Sequence, residues 1–169
     1  MQLDFNLHDQ YTWMDFASPI KAIQQKQPKI LLYNWLPFDN PWGWGGGVTV
    51  YCKNVIDIFL REYPNAQIYF LSSGFAYMAT TTEISYRKIQ NIFGDRVQQF
   101  EIVNSPVPAD QRNIYNNPLI ALENKDLKRV VKEFIEQFGE FTAIHYNNIE
   151  GLSLDVFDLK VDFPKTKFI

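Results

Sequence analysis

A short apolar run, Ile30 to Tyr33, is bounded by Pro28 and Pro37 and leads into Gly43, Gly45, Gly46 and Gly47, after which an amphipathic segment begins at once. Strand, glycine-rich loop and helix start, in that order, is how α/β proteins build an anion site. Glycine lets the backbone approach a ligand, and the first turn of a helix offers unpaired N–H groups and a partial positive charge. A fold of that class requires the alternation of strand and helix to continue along the chain.

It does continue. The first strand is expected over about 29–35, and a helix over about 47–62 places Val48, Tyr51, Cys52, Val55, Ile58 and Phe59 at helical spacing, with Lys53, Asp57, Arg61 and Glu62 largely opposite. Pro64 and Asn65 stop that helix, and Ala66 to Leu71 reads as a second strand closed by Ser72, Ser73 and Gly74. Beyond Thr80, Thr81 and Thr82 a short helical segment is expected around Ile84 to Phe93, then a third strand from Arg96 to Val103, stopped by Pro106 and Pro108. Residues 104–122, rich in Asn and Pro, read as an irregular excursion. Helical spacing resumes with Leu127, Val130, Val131, Phe134, Ile135 and Phe138; Asn124 or Asp126 is its cap and Gly139 its end. Phe141 to Tyr146 is a fourth strand. A turn and a helix carrying Leu152, Phe157 and Leu159 follow, and after Phe163 and Pro164 a fifth strand occupies Thr166 to Ile169.

Strands of this length alternating with helices predict a parallel sheet with helices on both faces, and right-handed crossovers make it a Rossmann-like, doubly wound α/β domain over 29–169. Residues 1–28 read as an N-terminal extension, in which Trp13, Met14 and Phe16 are docking candidates and Gln24 to Pro28 a polar linker. In such sheets ligands sit at the carboxyl ends of the strands. Those ends are Tyr33-Asn34-Trp35, Ser72-Ser73-Gly74, Asn104-Ser105 and His145-Tyr146-Asn147. The chain stops in strand-like residues, Lys167, Phe168 and Ile169, from which a longer protein is expected.

Composition narrows the class. An apolar fraction of 46% and an aromatic fraction of 16% belong to a folded domain, and a net charge of −3 gives no nucleic-acid surface. No apolar stretch reaches the ~20 residues of a membrane span. The first residues, Met1 to His8, lack the basic and apolar regions of a signal peptide, and the single cysteine, Cys52, excludes an internal disulfide and fits a reducing cytoplasm. Cys52 falls inside a helical pattern and reads as a small buried hydrophobe.

Familiar phosphate motifs do not fit the glycine loop. A P-loop needs Gly-Lys-Ser/Thr, whereas Gly47 is followed by Val48 and Thr49. A dinucleotide fingerprint started at Gly43 and Gly45 would need a third glycine where Val48 stands, and its ribose-binding acid where Ser72, Ser73 and Gly74 stand. A nicotinamide-dependent oxidoreductase is therefore disfavoured. The glycines either make a tight turn or shape a loop around a ligand, and four of them beside Trp42 and Trp44 favour the ligand. Trp35, Trp42 and Trp44 themselves either cover the core edge or stack on a sugar face.

At this point the chain resembles the N-terminal domain of a GT-B glycosyltransferase of the large family 4 type. The resemblance rests on Lys29-Ile-Leu-Leu-Tyr with Gly45-Gly46-Gly47-Val48 and its helix, on Ile68-Tyr-Phe-Leu-Ser-Ser-Gly74, and on Thr142-Ala-Ile-His145-Tyr-Asn-Asn-Ile-Glu-Gly151 with the helix and strand after it. The motifs are individually weak; their order and spacing across 29–169 carry the likeness. It implies one half of a two-domain enzyme that transfers a sugar from a nucleotide-sugar donor to a glycan or lipid acceptor with retention, without a metal or other cofactor. Gly45, Gly46 and Gly47 would approach the donor diphosphate, and His145 would contact the donor sugar at the reacting centre. Trp42, Trp44, Asn147 and Glu150 would line the acceptor side. The C-terminal donor domain that such an enzyme needs lies outside these residues, so a catalytically silent fragment is expected, working in the cytoplasm or at the inner face of the membrane through its acceptor.

The residues alone leave alternatives open. His145, at the end of a strand, either donates to a sugar hydroxyl or is satisfied by nearby backbone. Glu150 is either a first-turn acid favoured by the helix dipole or an acceptor ligand. His8 has no supporting context. A non-catalytic α/β module that holds a small anion or sugar is the rival reading.

Overall fold

A computed structural model of the chain describes residues 27–38, 46–73, 78–90, 92–105, 125–149 and 152–169. Its elements in chain order are β1 (Lys29–Asn34), α1 (Gly46–Glu62), β2 (Gln67–Ser72), β3 (Ser85–Lys88), β4 (Val97–Val103), α2 (Lys125–Phe138), β5 (Ala143–Tyr146), a 3-10 turn (Leu154–Asp158), α3 (Leu159–Asp162) and β6 (Lys167–Phe168). They form a six-stranded sheet in the order β3-β4-β2-β1-β5-β6, parallel throughout except for β3. The five parallel strands thus follow the order third, second, first, fourth, fifth, which is compatible with a Rossmann-like fold.

Both faces of the sheet are covered. One carries α1: Ile30, Leu32, Ile68, Phe70 and Val97 pack with Cys52 and Ile56. The other carries α2 and the segment after β5: Leu31, Tyr33, Tyr69, Leu71, Phe100 and Ile102 pack with Leu127, Val130, Val131, Phe134 and Ile135. Burial on both faces is why β1 and β2 read as continuous apolar runs instead of alternating ones. α2 ends as expected at Gly139, whose φ of +80° is a left-handed conformation that suits glycine after a helix. Cys52 is fully buried, and desolvation pushes its thiol up to about 12, the behaviour of a packing residue.

Two expectations change. The segment Ile84 to Phe93 holds no helix among its described residues; Ser85–Lys88 is a strand, antiparallel to β4. Tyr86 turns its ring onto Phe100 and Phe134, and Arg87 reaches Glu101 across the pair, so the alternation of a strand satisfies both residues. Asn104 anchors the loop before it from a left-handed backbone (φ 56°). Its Oδ1 accepts from the Met78 N–H at 2.7 Å, and its Nδ2 donates to the carbonyls of Thr81 (2.8 Å) and Glu83 (3.0 Å). The inward face of α1 changes in part: Cys52 is buried and Val48, Val55 and Phe59 pack against the core as expected, but Thr49 and Ile56 are buried too, while Tyr51 and Ile58 are exposed.

The amino-terminal end of the sheet is closely tied. Lys29 donates through Nζ to the Phe138 carbonyl at the end of α2, its own N–H donates to Thr142 Oγ1 (3.2 Å), and its carbonyl accepts from the Thr142 N–H (2.8 Å). The Gln67 N–H donates to the Pro28 carbonyl (2.9 Å) and the Thr166 hydroxyl to that of Phe141 (2.8 Å). On the outer side of α2, Lys128 pairs with Asp158 (3.2 Å) and Lys132 with Asp162 (2.9 Å), clasping the helix to the 3-10 turn and α3.

Candidate functional site

The carboxyl ends of the parallel strands lie at the opposite end of the sheet. β1 is flanked by β2 on one side and by β5 on the other, so the direction of winding reverses between β1 and β5. A reversal of that kind opens a crevice outside the strand ends. α1 follows β1 and begins there at Gly46, with no acidic residue in its first turn to occupy the helix N-terminus. Gly46 has a φ of +46°, which accounts for glycine on conformational grounds. Gly47 has no such requirement. Among the described residues, a Cβ there would meet nothing within 4 Å, so none of them covers the first turn.

Asn34, the last residue of β1, sits under that turn. It is fully buried, and its Nδ2 donates to the Leu36 carbonyl (3.1 Å) and to Thr49 Oγ1 (3.4 Å), which clamps its amide between the loop and α1. Asn147, one residue past β5, straddles the gap: its N–H and Nδ2 each donate to the Tyr33 carbonyl at 3.0 Å, and Nδ2 also reaches the His145 carbonyl at 3.3 Å.

What these residues leave unused defines the site. Among the described residues, the buried side-chain atoms without a hydrogen-bond partner are Asn34 Oδ1, Ser73 Oγ, Gln99 Nε2, Tyr146 Oη and Asn147 Oδ1. Leaving such an atom unpaired costs about 1–3 kcal/mol, and folded proteins hold few of them. All but Gln99 stand at carboxyl ends of strands. The two asparagine oxygens accept only, so a group that meets either of them would be a hydrogen-bond donor. Tyr146 belongs to the cluster under α2, where burial raises its pKa and keeps the hydroxyl protonated.

His145 lies on the α1 face of β5, paired in register with Leu32. The Tyr51 ring meets its imidazole edge to face, with centroids 6.0 Å apart and planes at 87°. Tyr51 and Gly47 are one helical turn apart on the same side of α1, so the open first turn continues from the tyrosine toward the strand ends. The imidazole is half-buried, and desolvation lowers its pKa from the ordinary 6.5, so it is neutral at neutral pH and can donate from one nitrogen while accepting at the other.

That shift has a measurable sign. The unfolded chain protonates near 6.5 and the folded one lower, so between those values the unfolded state binds more protons. The contribution of His145 is complete above about pH 6.5 and is lost as pH falls toward the folded pKa. Melting temperatures of wild type and His145→Phe at pH 7.5 and pH 5 should therefore differ. The acid-side fall should be smaller in the variant; an equal fall would put the neutral imidazole in doubt.

Of the residues singled out by sequence, Gly46, Gly47, His145 and Asn147 are brought to this one crevice. Trp42, Trp44, Gly45 and Glu150 lie outside the described residues. Asn34 fell within a strand end marked for its position, whereas Thr49 and Tyr51 were missed as site residues, because only the docking of α1 turns the first toward Asn34 and the second toward His145. Among the described residues no three His, Cys, Asp or Glu side chains are grouped to hold a metal ion. No helix among them is long and apolar enough to cross a membrane. A separate groove of about 600 Å³ along α2 and α3 has Lys128, Arg129 and Lys132 already engaged by Asp158, Glu133 and Asp162. No family model, no curated protein and no solved structure matches the chain.

Proposed function

We propose that this chain is a sugar-transfer domain: the acceptor-side, N-terminal half of a GT-B glycosyltransferase, working with a donor-binding half on a nucleotide sugar. The observation that carries the reading is the set of unpartnered acceptors, Asn34 Oδ1 and Asn147 Oδ1, beside a helix N-terminus that has no acid of its own. A nucleotide sugar supplies what both features lack. Its diphosphate is the anion for the first turn of α1, and its sugar hydroxyls are donors for the asparagine oxygens. The order of the sheet and the motifs around Gly46 and His145 support the same assignment.

In this mechanism the first turn of α1 stabilises charge on the departing diphosphate through backbone N–H groups. His145, neutral in its half-buried setting, donates to a hydroxyl of the donor sugar and holds it against the incoming acceptor. Positioning two substrates across a closed cleft supplies the remainder of the rate.

The test uses the polypeptide at its native length, offered radiolabelled UDP- and GDP-sugars with mixed glycan and lipid acceptors. Release of nucleoside diphosphate with label moving to an acceptor is the expected result. Gly46→Val should weaken donor binding, since it puts a branched side chain on a left-handed backbone at the diphosphate site. Saturable binding of a nucleotide or sugar without any transfer would replace the enzyme with a non-catalytic binding module.

A further inference from the structure

The register extends the polar floor of the crevice well beyond β1. Asn34 is paired with Ser72, Ser72 with Glu101, and Glu101 with Arg87. Residues paired in this way share a face, so a polar row crosses the α1 side of the sheet from β1 to β3. One step toward the amino end, Leu32 is level with Phe70, and Phe70 with Gln99. The row lies at the border between the apolar core and the strand ends.

Glu101 is the anomaly in that row. The residue is 6% exposed, on the same face of β4 as Val97 and Gln99. Arg87 holds it, with Nε 2.7 Å from Oε1, and Ser72 gives its hydroxyl to the Phe100 carbonyl instead. Oε2 receives no donor among the described residues. Beside it on the same strand face, Gln99 accepts from the Ile92 N–H (2.8 Å) through Oε1, and its Nε2 is buried with no partner. The charge of Glu101 is already balanced by Arg87, so a group that met Oε2 would be a hydrogen-bond donor and not a cation. Gln99 Nε2 lacks an acceptor, and Asn34 Oδ1 lacks a donor. Among common ligand groups, the hydroxyl does both jobs.

We propose that Glu101, set by Arg87 and flanked by Gln99, is a recognition point for the hydroxyls of a sugar acceptor, at the far end of the crevice from the helix N-terminus. This rests on the sugar-transfer reading above and narrows its acceptor to a glycan. Asn34 and Glu101 are two strand spacings apart, roughly 10 Å, which sets an acceptor ring at Glu101 beside the donor sugar at Asn34. With Oε1 held by Arg87, Oε2 is the open acceptor and takes a sugar hydroxyl. Sugars without a hydroxyl at that place are rejected, because the buried carboxylate would then face the ligand without a donor.

The experiment is a titration of the isotope-labelled protein at native length with individual methyl hexopyranosides, and separately with UDP and GDP. At least one methyl hexopyranoside should move the Glu101 carboxylate and Gln99 side-chain amide signals. The nucleotides should move Gly46 and Gly47. Glu101→Gln keeps the acceptor for Arg87 and should weaken the sugar by about 10- to 100-fold, the effect of a hydrogen bond to a charged group, with nucleotide affinity unchanged. Gln99→Met, which fills the same space without the unpaired amide, should weaken it as well. If nucleotides bind while no methyl hexopyranoside perturbs Glu101, or if Glu101→Gln keeps full sugar affinity, this inference fails alone. Binding of neither class would remove the sugar-transfer reading with it.

Discussion

Phe134→Ala should cost about 3–5 kcal/mol of stability, the range for deleting a buried phenylalanine ring. Phe134 is fully buried on α2 and is the hub of the core on that face. Its ring centroid lies 4.7 Å from that of Phe138, 5.0 Å from Tyr86, 5.1 Å from Phe100, 6.2 Å from Phe141 and 6.3 Å from Tyr69. These rings come from α2, β2, β3, β4 and the residue Phe141 just before β5, so one deletion opens a void shared by three strands and the helix over them. Close-packed aromatic neighbours cannot collapse into it without leaving their rotamers. A domain of this size is stable by only about 5–15 kcal/mol, so the variant should melt on the order of 10 °C lower or fail to accumulate. Phe134→Leu, which retains most of the volume, should lose far less. Thermal unfolding of both variants decides the matter, and equal losses would mean that ring volume is not what this position contributes.

His145→Ala should lower sugar transfer by about 10²-fold or more, the scale on which a positioned proton donor or a single stabilising hydrogen bond acts in a reaction. The side chain lies beneath the edge of Tyr51 and away from the densest packing, so the loss should fall on turnover much more than on folding. His145→Gln, which restores a donor of similar reach, should recover part of the rate. Steady-state transfer rates beside melting temperatures separate the two effects. Wild-type turnover in the alanine variant would remove His145 from the mechanism, and a collapse in melting temperature with turnover per folded molecule unchanged would make it a packing residue.

How much of this was legible beforehand follows from what each feature depends on. β1 and β2 could be read because a strand buried on both faces is apolar at nearly every position, and α2 because Leu127, Val130, Val131, Phe134 and Ile135 repeat at helical spacing. The strand β3 could not. Ile84, Tyr86 and Ile89 fit either period over so short a span, and the deciding partner, β4, is supplied by the tertiary fold. The site divides along the same line. Gly46, Gly47, His145 and Asn147 stand beside strand ends, which sequence can locate. The unsatisfied oxygens of Asn34 and Asn147, the contact of Tyr51 with His145 and the row from Asn34 to Arg87 depend on strand order, register and helix docking. None of these is a property of a residue and its neighbours in the chain.

The bonds that gather around Lys29 give the molecule two ends of different character. Where the strands begin, the backbone and the Lys29 ammonium fasten β1, β2, β5 and the end of α2 to one another. Where the strands finish, polar groups wait unpaired among connecting segments. A substitution beside the strand ends can retune that surface without touching the bonds around Lys29, which lie at the opposite end of the sheet. Such a scaffold lets selection edit the loops over the strand ends while the sheet beneath stays in the same register.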